Sequence, residues 1–246
     1  MINNNISVVT VTLDDQEGLY KTLNSLSQLT TLPREIIVID GGSIDFIVDD
    51  IIERFSTKLP QLRITSEADK GIYDAMNKGR SVCSGLLINY LNSGDVVFGE
   101  PYYQLKVESL LPVQFIDENG NKCGSDKVKL FGTAYNHQGI IFKHDHFPYN
   151  LNYKISADYV LILNTFSKGL KALPVIKNGG VEYSLGGVST KKTIYGSIEM
   201  IRALILYRPF YALFLVPEII LKLLIPRRLR RFILRNIRTN ISIKNI

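Results

Sequence analysis

The sequence predicts an α/β protein, a doubly wound sheet flanked by helices with a helical C-terminal extension, on three observations. Apolar, β-branched runs recur between segments whose apolar residues have helical spacing. Those runs end in short polar turns that carry an aspartate. From about residue 193 the composition turns strongly apolar and then strongly basic.

The first run, Ile6-Ser7-Val8-Val9-Thr10-Val11-Thr12, is β-branched almost without a break, which suits a strand buried on both faces. Asp14 and Asp15 are placed to cap a helix whose Leu19, Leu23, Leu26 and Leu29 share one side. Pro33 resets the chain, and Glu35-Ile36-Ile37-Val38-Ile39-Asp40 is a second buried strand that ends at Gly41-Gly42-Ser43. A second helix is expected over about 43–57, with Ile47, Ile51, Ile52 and Phe55 on one side, followed by a short strand at Leu62-Arg63-Ile64-Thr65. Gly85 to Leu91 forms another apolar strand, stopping at Asn92-Ser93-Gly94-Asp95. Beyond residue 98 the pattern weakens: a strand is expected at 113–117, a loop over 118–126, and turns at Gly179-Gly180 and Gly186-Gly187. Near residue 156 the pattern recovers, where Ser156 is placed to cap a helix with Asp158 in its first turn.

Between the third and fourth strands, Ser66-Glu67-Ala68-Asp69-Lys70-Gly71 is a charged turn and Ile72 onward a short amphipathic helix. Asp40, Asp69 and Asp95 therefore all sit at or just past carboxyl edges of strands, where doubly wound sheets bind ligands. Clustered carboxylates call for a cation, and Asp95 on its tight turn is a hard oxygen ligand of the kind magnesium or manganese takes alongside substrate phosphates. Lys70 is placed to assist the same phosphates. On spacing alone, Asp40 and Asp95 serve equally well as turn residues, and Asp158 as an acid favoured by the helix dipole. Tyr73 and Asn77, four apart, share a helix face. The three histidines, His137, His144 and His146, lack the spacing of a zinc site.

At 246 residues the chain can bury a full core. Its two cysteines, Cys83 and Cys123, show no metal-binding or disulfide pattern, which fits a reducing compartment. Met1 to Asn5 lacks the basic start of a signal peptide, so the folded part is expected in the cytosol. The net charge of +6 is concentrated in Lys222, Arg227, Arg228, Arg230, Arg231, Arg235, Arg238 and Lys244; subtracting these eight leaves about −2 for residues 1–221. Within 193–235 the uncharged stretch Pro209 to Pro217 falls short of the ~20 apolar residues of a spanning helix. Amphipathic helices in the membrane interface fit better, with Tyr207, Phe210, Tyr211 and Phe214 as interfacial aromatics and the arginines on anionic headgroups. A helical hairpin packed on the body or on a second subunit is the other reading. A nucleic-acid arm fits poorly, given the aromatic lead-in and the lack of a recognised nucleic-acid module.

The strand Val8 to Thr12, Glu35 to Ser43, Ser66 to Gly79 and Leu91 to Asp95 together resemble the family 2 glycosyltransferases, in particular the bacterial branch that builds capsule, O-antigen and exopolysaccharide. The likeness continues more weakly through His137-Gln138, Ala157-Asp158-Tyr159 and Gly186-Gly187-Val188-Ser189. It implies the GT-A fold, a mixed nucleotide-sugar-binding sheet; with the composition of the tail this gives a catalytic domain at 1–192 and a basic amphipathic membrane-association region at 193–246. Thr12 and Asp40 would line the nucleoside pocket, Asp69 and Lys70 would border base and diphosphate, and Asn77 and Ser93 would join them in donor binding. Asp95 would be the metal ligand for Mn2+ or Mg2+, although Asn92 and Gly94 stand where the family commonly has acids. His137 and Gln138 would touch the diphosphate or the acceptor. Asp158 would be the catalytic base of an inverting transfer from a UDP-linked nucleotide sugar to a lipid-linked saccharide at the cytoplasmic face of the bacterial inner membrane. A nucleotide-sugar-binding scaffold without transferase activity is the alternative, and oligomeric state is left open.

Overall fold

A computed structural model describes residues 1–128, 135–166, 169–185 and 193–224. The chain divides into two compact units, residues 1–191 and 192–246. The basic residues from Arg227 onward and the Gly186 to Ser189 motif lie outside the described residues.

The first unit opens with β1 (Ile2–Thr12), α1 (Gln16–Ser27), β2 (Leu32–Asp40), α2 (Val48–Phe55), β3 (Leu62–Ser66), α3 (Ile72–Ser81) and β4 (Leu87–Tyr90). Short strands follow: β5 (Val96–Gly99), β6 (Ser109–Leu110), β7 (Val113–Ile116), β8 (Lys122–Ser125), β9 (Ile140–Lys143) after a 3-10 turn at His137–Gly139, then α4 (Ala157–Thr165) and β10 (Gly179–Ser184). The main sheet has the order β3-β2-β1-β4-β9-β6. Its first four strands are parallel, and β9 runs antiparallel to both β4 and β6. A smaller sheet has the order β5-β10-β7-β8.

Because successive strand residues face opposite sides, Ile6, Val8, Ile36 and Val38 pack with Leu19, Leu23 and Leu26 of α1 and Ile51 and Phe55 of α2. Val9 and Ile39 face α3 on the other side. There a Cβ on Gly79 would stand 2.4 Å from Val9 Cγ1, so the missing side chain lets this helix lie close on the sheet. That two-sided cover is why the strand runs are continuously apolar.

Several expectations change. The loop expected over 118–126 holds strand β8 (Lys122–Ser125), paired with β7. Pro33 does not precede β2 but lies inside it, buried and opposite Asn3 of β1. The second helix starts at Val48 rather than near Ser43, because the Asp40 carboxylate accepts from the Gly42 and Ser43 N–H groups and the Ser43 hydroxyl and holds that segment as a turn. Gly179 and Gly180 are strand residues, not a turn. A Cβ on Gly179 would meet Phe98 O at 2.4 Å and one on Gly180 would meet Pro112 O at 2.2 Å, so both glycines admit neighbouring backbone. Ser156 occupies the N-cap position of α4 without making a side-chain cap bond.

In the second unit α5 (Thr193–Tyr207) and α6 (Pro209–Leu224) pack on each other across Arg208. Ala203, Leu204 and Ala212 are buried, while Ile198, Leu206, Phe210, Leu213 and Phe214 are exposed. Among the described residues no helix is long and apolar enough to cross a membrane.

Candidate active site

The carboxyl edge of the main sheet is a row of polar residues fixed by register. Thr12 pairs with Asp40, and Asp40 pairs with Ser66. Ser93 continues the row past β4, its N–H donating to Val11 O at 3.1 Å. Here β1 has β2 on one side and β4 on the other, with α1 and α3 covering opposite faces, which opens a crevice at the strand ends.

Within that row the residues play different parts. Asp40 is fully buried; besides the Gly42 and Ser43 donors its Oδ2 accepts from Ser66 Oγ at 2.7 Å. Its carboxylate thus ties the ends of β2 and β3 together. Thr12 donates its hydroxyl to Asp15 O at 3.2 Å, and Asp15 caps α1 through Gly18 N–H at 3.0 Å while its Oδ2 accepts from Ser93 Oγ at 2.9 Å. Asp69 stands over Gly41, where a Cβ would lie 2.5 Å from its Oδ2, and its Oδ1 accepts from Gly71 N–H at 2.6 Å. Gly71 has φ +112°, a backbone conformation that favours glycine, and starts α3. Lys70 is exposed beside Asp69, its N–H donating to Asp74 Oδ2 at 2.9 Å.

Asp95 is 3% exposed. Burial pushes its carboxyl up to about 7, against the opposing N–H of Ser184, which donates to Oδ1 at 2.8 Å; the Asp15 charge adds to the rise. The Gln138 amide lies near enough to favour the charged form, yet both its amide atoms, with Asn92 Oδ1, are buried without a hydrogen bond of ordinary geometry. Among the described residues no three metal-ligating side chains cluster. One buried carboxylate beside orphaned amide atoms, with no countercharge among the described residues, fits a magnesium- or manganese-type ion held chiefly by substrate phosphates, not a closed protein cage.

Asp158 stands apart from this row. Its side chain is 32% exposed and faces His137 Nδ1 across 3.4 Å. Oδ1 accepts from Tyr159 N–H at 2.8 Å and lies 3.3 Å from the Tyr73 hydroxyl. Tyr73 comes from α3, His137 from the 3-10 turn before β9, and Asp158 from the first turn of α4. A carboxylate so held, part exposed and within reach of donors, can accept a proton from a bound hydroxyl.

The structure brings Thr12, Asp40, Asp69 and Ser93 to one edge, with Asp95 and Gln138 beside each other and His137 against Asp158. Asn77 meets neither group directly. Its amide donates to Tyr149 O at 2.9 Å and accepts from Tyr149 N–H at 2.8 Å. Tyr149 itself escapes sequence reasoning: it stacks on Tyr73 with ring centroids 5.3 Å apart and meets the His137 ring edge-on at 6.1 Å. Nothing periodic surrounds it, and the nearby histidines are the sole local signal. The other two histidines go elsewhere, His144 Nε2 to Arg80 O at 3.3 Å and His146 Nε2 to Tyr90 OH at 3.0 Å. Burial lowers His146 to about 4, so it is a neutral core residue.

Residues 7–105, which hold β1 to β5 and most of this edge, match the model of the family described as Glycosyl transferase family 2. A PGL/p-HBAD biosynthesis glycosyltransferase of Mycobacterium bovis is 28% identical over 186 residues, 65% of this chain and 69% of that one. S. aureus TarS has a similar fold, with a TM-score of 0.61 and 14% identity, the match covering 83% of this chain and 40% of TarS. The TarS segment 1–349 has been solved in complex with UDP-GlcNAc. The mannosyltransferase PcManGT of Pyrobaculum calidifontis, solved in complex with GDP-Man and Mn2+, has a TM-score of 0.58 at 10% identity, covering 81% of this chain and 63% of that one. The mixed sheet flanked by helices is that of the GT-A fold. The strand-and-turn part of the chain is matched in sequence by that family and its architecture in three dimensions by GT-A glycosyltransferases, which together support a family 2 glycosyltransferase.

Proposed function

We propose that this protein is an inverting glycosyltransferase that moves a sugar from a UDP-linked donor to a lipid-linked saccharide in bacterial surface polysaccharide synthesis. The observation that carries the reading is Asp158, a part-exposed carboxylate with His137 Nδ1 at 3.4 Å and, at 3.3 Å, the hydroxyl of Tyr73, whose helix begins at the Asp69–Gly71 turn. Thr12, Asp69, Lys70 and Ser93 bind and orient the donor at that edge, and Asp40 keeps the edge closed beneath it. Gln138 faces the diphosphate side. Asn77 contributes by fixing Tyr149.

Asp158 takes the proton of the acceptor hydroxyl as that oxygen bonds to the anomeric carbon. The bond to the diphosphate oxygen breaks on the opposite face, and the nucleotide leaves with the electron pair, so the configuration inverts. Lys70 offsets part of the charge gained by the departing diphosphate. Asp95 would hold Mn2+ or Mg2+, whose contribution when bound is to neutralise that same diphosphate.

The second unit serves attachment. Its exposed Phe210, Leu213 and Phe214 and the basic residues that follow support a peripheral position on the anionic cytoplasmic face of the inner membrane. Flotation with anionic liposomes checks this part: binding that is lost on deleting 193–246 is expected, and unchanged flotation of the truncated protein contradicts it.

Thermal shifts with UDP-, GDP- and dTDP-sugars, with and without manganese, test the donor. UDP-sugars are expected to raise Tm most, more so with manganese. Nucleotide release in the presence of lipid-linked saccharides then separates an enzyme from a binding protein. UDP binding without release across the acceptor panel would mean a scaffold.

A further inference from the structure

The His137 ring reveals which of its nitrogens carries the proton. Nε2 is buried and has no hydrogen-bond partner among the described residues. A proton on Nε2 would leave a buried N–H unpaired, whereas a bare Nε2 leaves only a lone pair unmet, the lesser penalty. The proton therefore belongs on Nδ1, which faces Asp158 Oδ2 across 3.4 Å. That separation slightly exceeds a closed hydrogen bond, as catalytic contacts commonly do before substrate tightens them.

Tyr73 meets the other carboxylate oxygen with a single hydroxyl proton, within reach of both Ile155 O at 2.8 Å and Asp158 Oδ1 at 3.3 Å. While Asp158 is charged, that proton is shared between them. Once Asp158 holds a proton, the Tyr73 hydroxyl can donate to Ile155 O and accept from the new carboxylic acid. Tyr73 thus serves both protonation states of Asp158, and His137 with its Nδ1–H serves only the charged one. Both rings are fixed by Tyr149, which stacks on Tyr73 and meets His137 edge-on, and Tyr149 is held through its backbone by Asn77.

We infer that His137 and Tyr73 are positioning residues for the Asp158 carboxylate, His137 as a fixed Nδ1–H donor favouring the charged base and Tyr73 as a hydroxyl that follows the proton. The inference rests on the reading of Asp158 as base, and its test must separate the two.

Nuclear magnetic resonance of the full chain, with labelled histidine nitrogens, needs no substrate. It should show an unprotonated Nε2 on His137. His137→Asn puts an amide where Nδ1 stands and can keep the donor; His137→Gln reaches toward Nε2 and cannot. In His137→Gln the acid limb of the pH–rate profile should move toward higher pH, and kcat should fall ~10-fold at unchanged donor KM. His137→Asn should stay within ~3-fold of the parent. Tyr73→Phe keeps the ring on Tyr149 and should lower kcat with a smaller displacement of the acid limb.

A protonated Nε2 would overturn the inference. So would a parental acid limb and kcat in both His137→Gln and Tyr73→Phe beside an inactive Asp158→Asn. Parental turnover in Asp158→Asn would instead overturn the base reading itself.

Discussion

The two edges of the main sheet treat buried carboxylates in opposite ways. At the amino edge, Glu35 opens the apolar stretch of β2, 6% exposed, and is fully engaged. Its Oε1 accepts from Ser7 Oγ at 2.5 Å, from Ser84 N–H at 2.5 Å and from Ser84 Oγ at 3.0 Å, while Oε2 pairs with Arg63. Burial alone would raise its pKa, but the Ser7 and Ser84 donors and the Arg63 charge outweigh it and hold the carboxyl below its ordinary value. At the carboxyl edge, Asp95 has, among the described residues, one backbone donor of ordinary geometry and no countercharge, and burial wins. A satisfied carboxylate ties strands together; an undersatisfied one next to orphaned amides marks a candidate ligand position. Asp40 shows that location does not decide the matter, since it sits at the carboxyl edge yet is wrapped by its own turn.

This contrast can be broken by exchanging losses between the edges. Asp158→Asn should cut turnover ~10³-fold, whereas Glu35→Gln should leave turnover per folded molecule within ~2-fold. A large kinetic effect from Glu35→Gln would erase the distinction. In denaturant unfolding, Glu35→Gln should cost about 1 kcal/mol, because its oxygen can keep the Ser7 and Ser84 donors while its amide group faces the half-exposed Arg63 and loses that ion pair. Asp158→Asn should lie within about 0.5 kcal/mol of the parent, as suits a part-exposed group.

Asp95 sharpens the comparison through pH. Its native pKa, about 7, stands above the ordinary 3.8, so between those values the native state holds a proton that the unfolded chain has released. The resulting stability is full below the ordinary value and is lost as pH rises through about 7. Melting of the parent should therefore fall, relative to Asp95→Asn, as pH rises across that window. Parallel melting curves for the two proteins would show that Asp95 is not protonated by its burial.

Much of this frame is legible in the chain itself, and the reason is local. Ile6 to Thr12 and Ile36 to Ile39 are long enough for continuous apolarity to signal a strand covered on both sides, and α1 lies between them with leucines at helical spacing. The acids at their ends mark the crevice. By contrast β9 is four residues long and lies among the histidines, too short to show a period, yet it extends the main sheet beyond β4. Gly179-Gly180 looks like punctuation because glycine's two uses, turning and admitting close backbone, are indistinguishable without the neighbour. The divergent fates of Asp40 and Asp95 depend on donors brought from afar, Ser66 for one and Ser184 for the other. Tyr149 is likewise a tertiary fact. It joins Asn77, Tyr73 and His137 from three separate segments, so no spacing along the chain announces it.

The central claim, that Asp158 receives the acceptor proton while the strand edge holds the donor, is tested most directly by measuring UDP affinity and turnover on the same sample of Asp158→Asn. The account predicts parental UDP affinity with turnover reduced ~10³-fold. Turnover at the parental rate, or loss of UDP binding together with activity, would contradict it.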